Sequence, residues 1–79
     1  MNDFRTQVWR DAFKLTSKYE NVPPAGSKES DAFWKAFIKE HEAMANKFGI
    51  DKNKDPIAFH VWVAVIDGLN DEAARKAKA

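Results

Sequence analysis

The residue types in this sequence that are best suited to chemistry are its two histidines and the carboxylates near them. His41-Glu42 starts like the zinc-protease motif, in which two histidines four positions apart bind the metal from one helix face. The second position of that pair is Ala45, so the motif is incomplete. We interpret His41 as a histidine at the margin of the core and His60 as a solvent-facing residue. A metal bound between the two histidines is an alternative that the spacing does not support, and no metal site is predicted.

A second motif, Asp51-x-Asn53-x-Asp55, matches the start of a calcium-binding EF-hand loop. Residues of these types supply oxygen ligands at alternate positions, but the loop also requires glycine at its sixth position and glutamate at its twelfth. Those positions hold Pro56 and Trp62. Asp55-Pro56 is better explained as a helix cap followed by proline at the first helical position, so no calcium site is predicted.

Nucleophilic catalysis requires a serine, threonine or cysteine that is activated by a neighbouring base. The sequence has no cysteine, and a turn, linker or capping role explains Ser17, Ser27 and Ser30. The three glycines stand far apart, so there is no glycine-rich phosphate loop. Glu40 and Glu42 lie near lysines on a predicted solvated face. We therefore predict a protein that is not an enzyme and that has no cofactor and no small-molecule substrate.

A basic stripe is the main feature that points toward nucleic acid. Arg10, Lys14 and Lys18 share a helix face at i, i+4 spacing, which suits contact with phosphates. The competing interpretation is a solvated helix face, and the balance of 13 basic against 12 acidic residues favours it. A helix-turn-helix unit needs a turn of about three or four residues, and both predicted loops are longer. Nucleic-acid binding through this stripe is therefore the alternative function.

Two apolar stripes predict helices over residues 3–20 and 30–48. In each segment, apolar residues recur every three or four positions, and charged residues occupy the opposite side. Ser30 is the predicted N-cap of the second helix, and Gly49 suits a left-handed end to it. Pro23-Pro24 interrupts the helical pattern, but the segment around it is too short to separate two domains.

The third apolar segment, residues 56–75, allows two interpretations over its first part, 57–66. Its β-branched residues Val61, Val63 and Val65 alternate as in a strand. We favour a helix, because Asp55-Pro56 is a good helix start and an isolated strand would have no partner in this chain.

Gly68 leaves the end of this segment open, since glycine weakens a helix interior by about 1 kcal/mol relative to alanine. The helix either continues through it or ends there, and a short fourth helix then begins at Asn70 or Asp71. The C-terminal tail, residues 72–79, is expected to be flexible. The pattern as a whole predicts an all-α, three-helix bundle that forms a single domain over residues 1–79.

The apolar arc of the third segment is wider than a surface helix needs. Phe59, Val63 and Ile66 lie to one side of its main stripe, with Trp9 and Trp34 as candidate neighbours. Surplus apolar surface of this kind marks a protein interface. The competing interpretation is that the third helix is central and covered on two sides. The interface interpretation predicts a protein partner or a homodimer, which would supplement a small core.

Composition restricts the class of protein further. The chain has 79 residues, of which 44% are hydrophobic, and this fraction argues against intrinsic disorder. Its longest apolar stretch, 56–66, is shorter than the roughly 20 residues that a membrane span needs. With no cysteine and no apolar leader at its start, we expect a cytoplasmic protein without membrane contact.

The order of several motifs is similar to that of small all-helical proteins from bacterial prophages and mobile elements. The resemblance rests on Trp9, Tyr19 before Pro23-Pro24, the Ser30-Asp31-x-Phe33-Trp34 helix start, Lys47-Phe48 and Val65-Ile66-Asp67. It covers most of the chain but depends on common residue types. It implies an all-α accessory protein without an assigned activity, and it supplies no catalytic residues.

Overall fold

Three helices make up most of the computed structural model, which describes residues 3–79. They are α1 (Asp3–Lys18), α2 (Ser30–Phe48) and α3 (Pro56–Lys78). The predicted all-α three-helix bundle is confirmed. Within the described residues there is no strand, so the strand interpretation of residues 57–66 is wrong. The β-branched residues there fit a helix because that helix is packed against its neighbours rather than isolated.

Helices α1 and α2 run antiparallel, as two ion pairs between them show. Lys18 at the end of α1 binds Glu40 with an Nζ–Oε1 distance of 2.8 Å. About two turns earlier in α1, Asp11 binds Lys47 near the end of α2, with an Oδ2–Nζ distance of 3.0 Å. Both lysines are well exposed, so these pairs fix orientation more than they add stability.

Helices α1 and α3 run parallel. Near the start of α1, the Arg5 guanidinium binds Asp55, the residue immediately before α3, at 3.0 Å. At the other end, the ammonium of Lys76 donates to the backbone carbonyl oxygen of Val22 at 2.7 Å. The bundle therefore runs up, down and up, with one groove between the parallel helices.

The core is small and depends on aromatic rings. Phe37, Val8 and Val22 are its largest fully buried side chains. Tyr19 and Trp34 meet the Phe37 ring edge to face, at centroid distances of 5.3 and 5.6 Å, and such ring pairs each add about 0.5–1.5 kcal/mol beyond area burial. Val22 belongs to the linker between α1 and α2, so that linker is part of the core.

Helix α3 continues through Gly68 to Lys78, so the described residues form no fourth helix, and most of the C-terminal tail is helical. Leu69 and Ala73 beyond the glycine are buried, and their burial offsets the weakness at that position. The linker also binds the helix end, because the Ala25 amide donates to the Ala73 carbonyl at 3.0 Å. Tertiary contacts, which local composition does not reveal, thus join the end of α3 to the linker.

The helix ends agree with the sequence in two of three cases. Asp55 caps α3 by accepting the Ala58 amide at 3.2 Å. Gly49 ends α2 with φ 60° and ψ 42°, a left-handed conformation that favours glycine. The predicted N-cap at Ser30 is wrong. Glu29 holds the N-cap position and its side chain forms no capping hydrogen bond, because the turn before α2 already places Ser30 in helical geometry.

Candidate functional site

An apolar groove of about 590 Å³ lies between the parallel helices α1 and α3. Ala12 and Val65 are its buried lining residues, and they form the floor. The walls and floor are formed by Trp9, Ala12, Phe13 and Thr16 of α1 and by Pro56, Ile57, His60, Val61, Ala64 and Val65 of α3. It is larger than two further hollows on the bundle, which measure about 400 and about 360 Å³.

Large apolar side chains stand exposed along the groove. Phe13 is 74% exposed, Trp9 53% and Ile57 51%. Among the described residues, one further large apolar side chain is exposed, Ile38 at 42%, and it lies on α2 outside the groove. Most of the exposed large apolar surface is therefore gathered at one place, which is typical of an interaction site.

The sequence of α1 produces this surface by carrying two neighbouring apolar rows. Val8, Ala12 and Leu15 form the buried row that faces the core. Trp9 and Phe13 each follow a core residue by one position, so they are rotated by about 100° and form a second row beside the first. Trp9 was predicted only as a candidate neighbour of Phe59, Val63 and Ile66, and Phe13 was not predicted to belong to an interaction surface. Their i, i+4 spacing was the available signal.

Few polar groups face the groove. The Thr16 hydroxyl donates to the backbone carbonyl of Ala12 at 2.8 Å, so it is already satisfied within α1. His60 is exposed on the groove wall, as predicted for a solvent-facing histidine. The site therefore lacks the convergent polar groups that orient a small ligand.

The predicted interface residues Phe59, Val63 and Ile66 are all half-buried. None of the three lines the groove. At about 100° of rotation per residue, Phe59 and Ile66 lie on the side of α3 away from it, and Val63 lies beside its rim. Ile66 packs against the core, and the Phe59 ring lies 5.9 Å from that of Trp62. Part of the wide apolar arc is thus explained by packing inside the bundle, and the more exposed surface lies around Phe13 and Ile57.

The basic stripe of α1 is divided by its ion pairs. Lys18 binds Glu40, whereas Arg10 and Lys14 are exposed and have no side-chain partner within residues 3–79. A second, more polar hollow of about 400 Å³ beside Lys14 also contains Asp11 and Glu40. Carboxylates among the lysines reduce the positive field that phosphate binding needs.

Glu40 is the centre of a small network on this face. It accepts hydrogen bonds from Lys18 and from the Tyr19 hydroxyl. The Lys18 hydrogen bond, followed by that of Tyr19, lowers the pKa of the Glu40 carboxyl below its ordinary value. The same carboxylate raises the pKa of Tyr19 and that of Lys18. The network ties α1 to α2, and its members are occupied with one another.

His41 is buried, and its ring is used for structure. Its Nε2 lies 2.7 Å from the Trp62 carbonyl oxygen, and the Trp62 indole donates to the His41 carbonyl at 2.8 Å. In residues 3–79, no three or more histidine, aspartate or glutamate side chains form a cluster suited to a metal ion. In the loop that resembles an EF-hand, Asp51 accepts the Asn53 amide at 2.8 Å, so its carboxylate stabilises the turn.

Comparison of the chain with protein-family models, curated proteins and solved structures found no match. None of the helices in the described part of the chain has the length and apolar character needed to cross a membrane.

Proposed function

We propose that this chain is a non-enzymatic protein-interaction module that accepts an apolar helix face in the groove between α1 and α3. The observation that carries the proposal is the concentration of exposed apolar side chains there, with Phe13 at 74% and Trp9 and Ile57 above one half. In isolation these side chains expose surface that water disfavours, and a docked partner removes it.

The shape and chemistry of the groove suit a helix better than a small molecule. An amphipathic helix presents apolar anchors at i, i+3, i+4 and i+7, and it binds by laying them into an apolar groove. The groove between two parallel helices runs along their axes, and its volume of about 590 Å³ accommodates more than one large side chain. Aromatic walls and a small floor are typical of protein-interface cores.

Site-specific photo-crosslinking in cells that express the chain tests this function. A photoreactive phenylalanine analogue replaces Phe13 in one variant and Ile38 in a control variant, since both positions are exposed and apolar. We expect a discrete protein adduct from position 13 and none from position 38. Equal adducts at both positions, or none at position 13 with the reagent shown to be active, would contradict the proposal.

Nucleic-acid contact through Arg10, Lys14 and Lys18 is the alternative proposal. It has less support, because Lys18 is paired with Glu40 and a second carboxylate lies within the same hollow. Binding to duplex DNA or RNA at low salt that weakens steeply as salt is added would favour it over protein docking.

Two features taken from the sequence complete the proposal. The absence of cysteine is compatible with a reducing compartment, so we place the module in the cytoplasm. The resemblance to helical accessory proteins of prophages and mobile elements suggests that it assists a larger assembly.

A further inference from the structure

We propose that the occupant of the groove is a second copy of this chain, related to the first by a two-fold axis that passes between α1 and α3 at the level of Phe13, perpendicular to the face that these helices form. The inference rests on the proposed docking function and specifies its partner. Shape, charge and available area support it independently.

The groove face carries both a projection and a recess, as a self-complementary interface must. In an isologous dimer the same patch meets itself, so every projection needs a recess on the same surface. Phe13, which is 74% exposed, is the projection. The space beside it, above Val61 and Ala64, is the recess. Each copy can therefore place its Phe13 in the groove of the other.

Charges near the two ends of the groove have opposite signs. Arg10 lies on α1 towards the start of the groove, and it is exposed and has no ion-pair partner within residues 3–79. Asp67 and Asp71 lie three and seven residues after Ala64, which lines the groove. Residues at this spacing share a helix face, so the two aspartates continue the groove-facing row of α3 towards its far end. Both are exposed, and no ion pair within the described range includes them. A two-fold axis brings the basic end of one copy to the acidic end of the other.

The distances along the helices agree with this arrangement. The Arg5–Asp55 ion pair sets the starts of α1 and α3 level with each other. At about 1.5 Å per residue, Arg10 lies about 4.5 Å before the level of Phe13, and Asp67 lies about 6 Å beyond it. Rotation about an axis at the Phe13 level therefore places Asp67 of the second copy within about 1.5 Å of the level of Arg10.

The area suits a reversible dimer rather than an obligate one. Together Trp9, Phe13 and Ile57 expose on the order of 400 Å², to which the rest of the groove and its charged ends add. A standard interface buries about 800 Å² on each partner, and transient interfaces bury less. Each copy thus offers at least half of the area that one partner buries in a standard interface. Because the interface is small, we expect a weak dimer whose population changes with protein concentration in the micromolar range.

Sedimentation equilibrium of the purified full chain, from about 10 µM to about 1 mM, is the first measurement. We expect a monomer–dimer equilibrium in the wild type and a monomer for Phe13→Lys. The control Ile38→Lys adds the same charge at an exposed apolar position outside the groove, so it should dimerise like the wild type. Circular dichroism confirms that each variant retains its helices.

A charge exchange tests the two-fold arrangement. We expect Arg10→Glu or Asp67→Lys alone to weaken the dimer about tenfold at low salt, because like charges then meet across the axis. The double variant R10E/D67K should restore most of the wild-type association, since the pair is re-formed with reversed signs. A dimer that is insensitive to these charges, or to Phe13→Lys, would overturn the proposal.

The outcomes separate this inference from the proposed function. A strict monomer up to about 1 mM overturns self-association. A crosslinked adduct at position 13 whose mass is not twice that of the chain also overturns self-association, but it leaves protein docking intact. A strict monomer without any adduct at position 13 overturns both. An adduct of twice the chain mass, together with the charge rescue, supports both.

Discussion

His41 and Trp62 bind each other reciprocally across α2 and α3. Each side chain hydrogen-bonds to the backbone carbonyl oxygen of the other residue, at 2.7 Å from His41 Nε2 and 2.8 Å from Trp62 Nε1. The two rings are stacked, with centroids 4.1 Å apart and planes inclined by 6°. Because a carbonyl oxygen only accepts hydrogen bonds, His41 Nε2 must carry a proton. The pair thereby fixes the distance and rotation between the two helices.

Removing the indole donor should destabilise the bundle. We expect Trp62→Phe to lower the free energy of unfolding by about 1–2 kcal/mol, because one hydrogen bond and part of the stacked ring are lost. Urea unfolding followed by circular dichroism measures the change. The control is Trp9→Phe, a residue 53% exposed, which should change stability by less than about 0.5 kcal/mol. Equal effects of the two substitutions would show that the Trp62 bond contributes nothing.

The histidine side of the pair can be tested by a double-mutant cycle. His41→Phe retains a stacked ring but removes the hydrogen bond to Trp62, so a loss of about 1 kcal/mol is expected. Because the two bonds belong to one paired unit, the effects of His41→Phe and Trp62→Phe should not be additive. Strict additivity in urea unfolding would mean that the two bonds act independently.

The stability of the bundle should depend on pH through Asp55. The hydrogen bond from Arg5, with backbone amides at the start of α3, lowers the Asp55 pKa below its ordinary value. The folded state therefore binds this proton less readily than the unfolded state does, so stability is present above the ordinary aspartate pKa and is lost as pH falls through the lowered one. Unfolding free energies between about pH 2 and pH 7 measure this loss.

Asp55→Asn provides the comparison, because asparagine remains a good N-cap but has no charge for Arg5. We expect the difference in stability between wild type and Asp55→Asn to shrink towards low pH. Asp71→Asn, at an exposed position without a hydrogen bond in the described chain, is the matched control. A gap between wild type and Asp55→Asn that does not change with pH would contradict the role of the Arg5 contact.

The C-terminal half of α3 should depend on the linker that contacts it. Lys76→Met keeps the apolar stem but removes the hydrogen bond to Val22, so we expect a loss of about 1 kcal/mol. Amide hydrogen exchange is the sharper measurement, since the Ala25 amide bonded to Ala73 should exchange about fivefold faster. Lys78→Met, at an exposed position, should leave that exchange rate unchanged. If both variants exchange alike, the Lys76 contact does not hold the linker.

Much of the fold was predictable because its signals are local. The apolar spacing of α1 and α2, the left-handed Gly49 and the Asp55-Pro56 start each depend on a few neighbouring residues. The length of α3 was not predictable, because the contacts that order its end come from the linker more than 40 positions earlier in the chain. The Ser30 cap failed for a similar reason, since the preceding turn decides which residue comes first in α2.

The sequence predicts that an apolar surface exists, but not which residues of the candidate site expose it most. Surplus apolar surface was recognised in the sequence, but it was placed at Phe59, Val63 and Ile66, whereas the most exposed side chains lie at Phe13 and Ile57. The difference depends on how α3 is rotated towards α1 and α2. That rotation is held by the contacts of His41 and Trp62, which periodicity alone does not reveal.

We propose that two copies of this chain meet at the groove between α1 and α3. A dilution series followed by ¹⁵N–¹H correlation spectra of the purified chain tests it most directly. We expect concentration-dependent shifts at Phe13, Ile57 and Ala64, with Ile38 on α2 unchanged. Spectra that do not change with concentration would contradict self-association, and shifts centred on α2 would show that another surface of the bundle makes the contact.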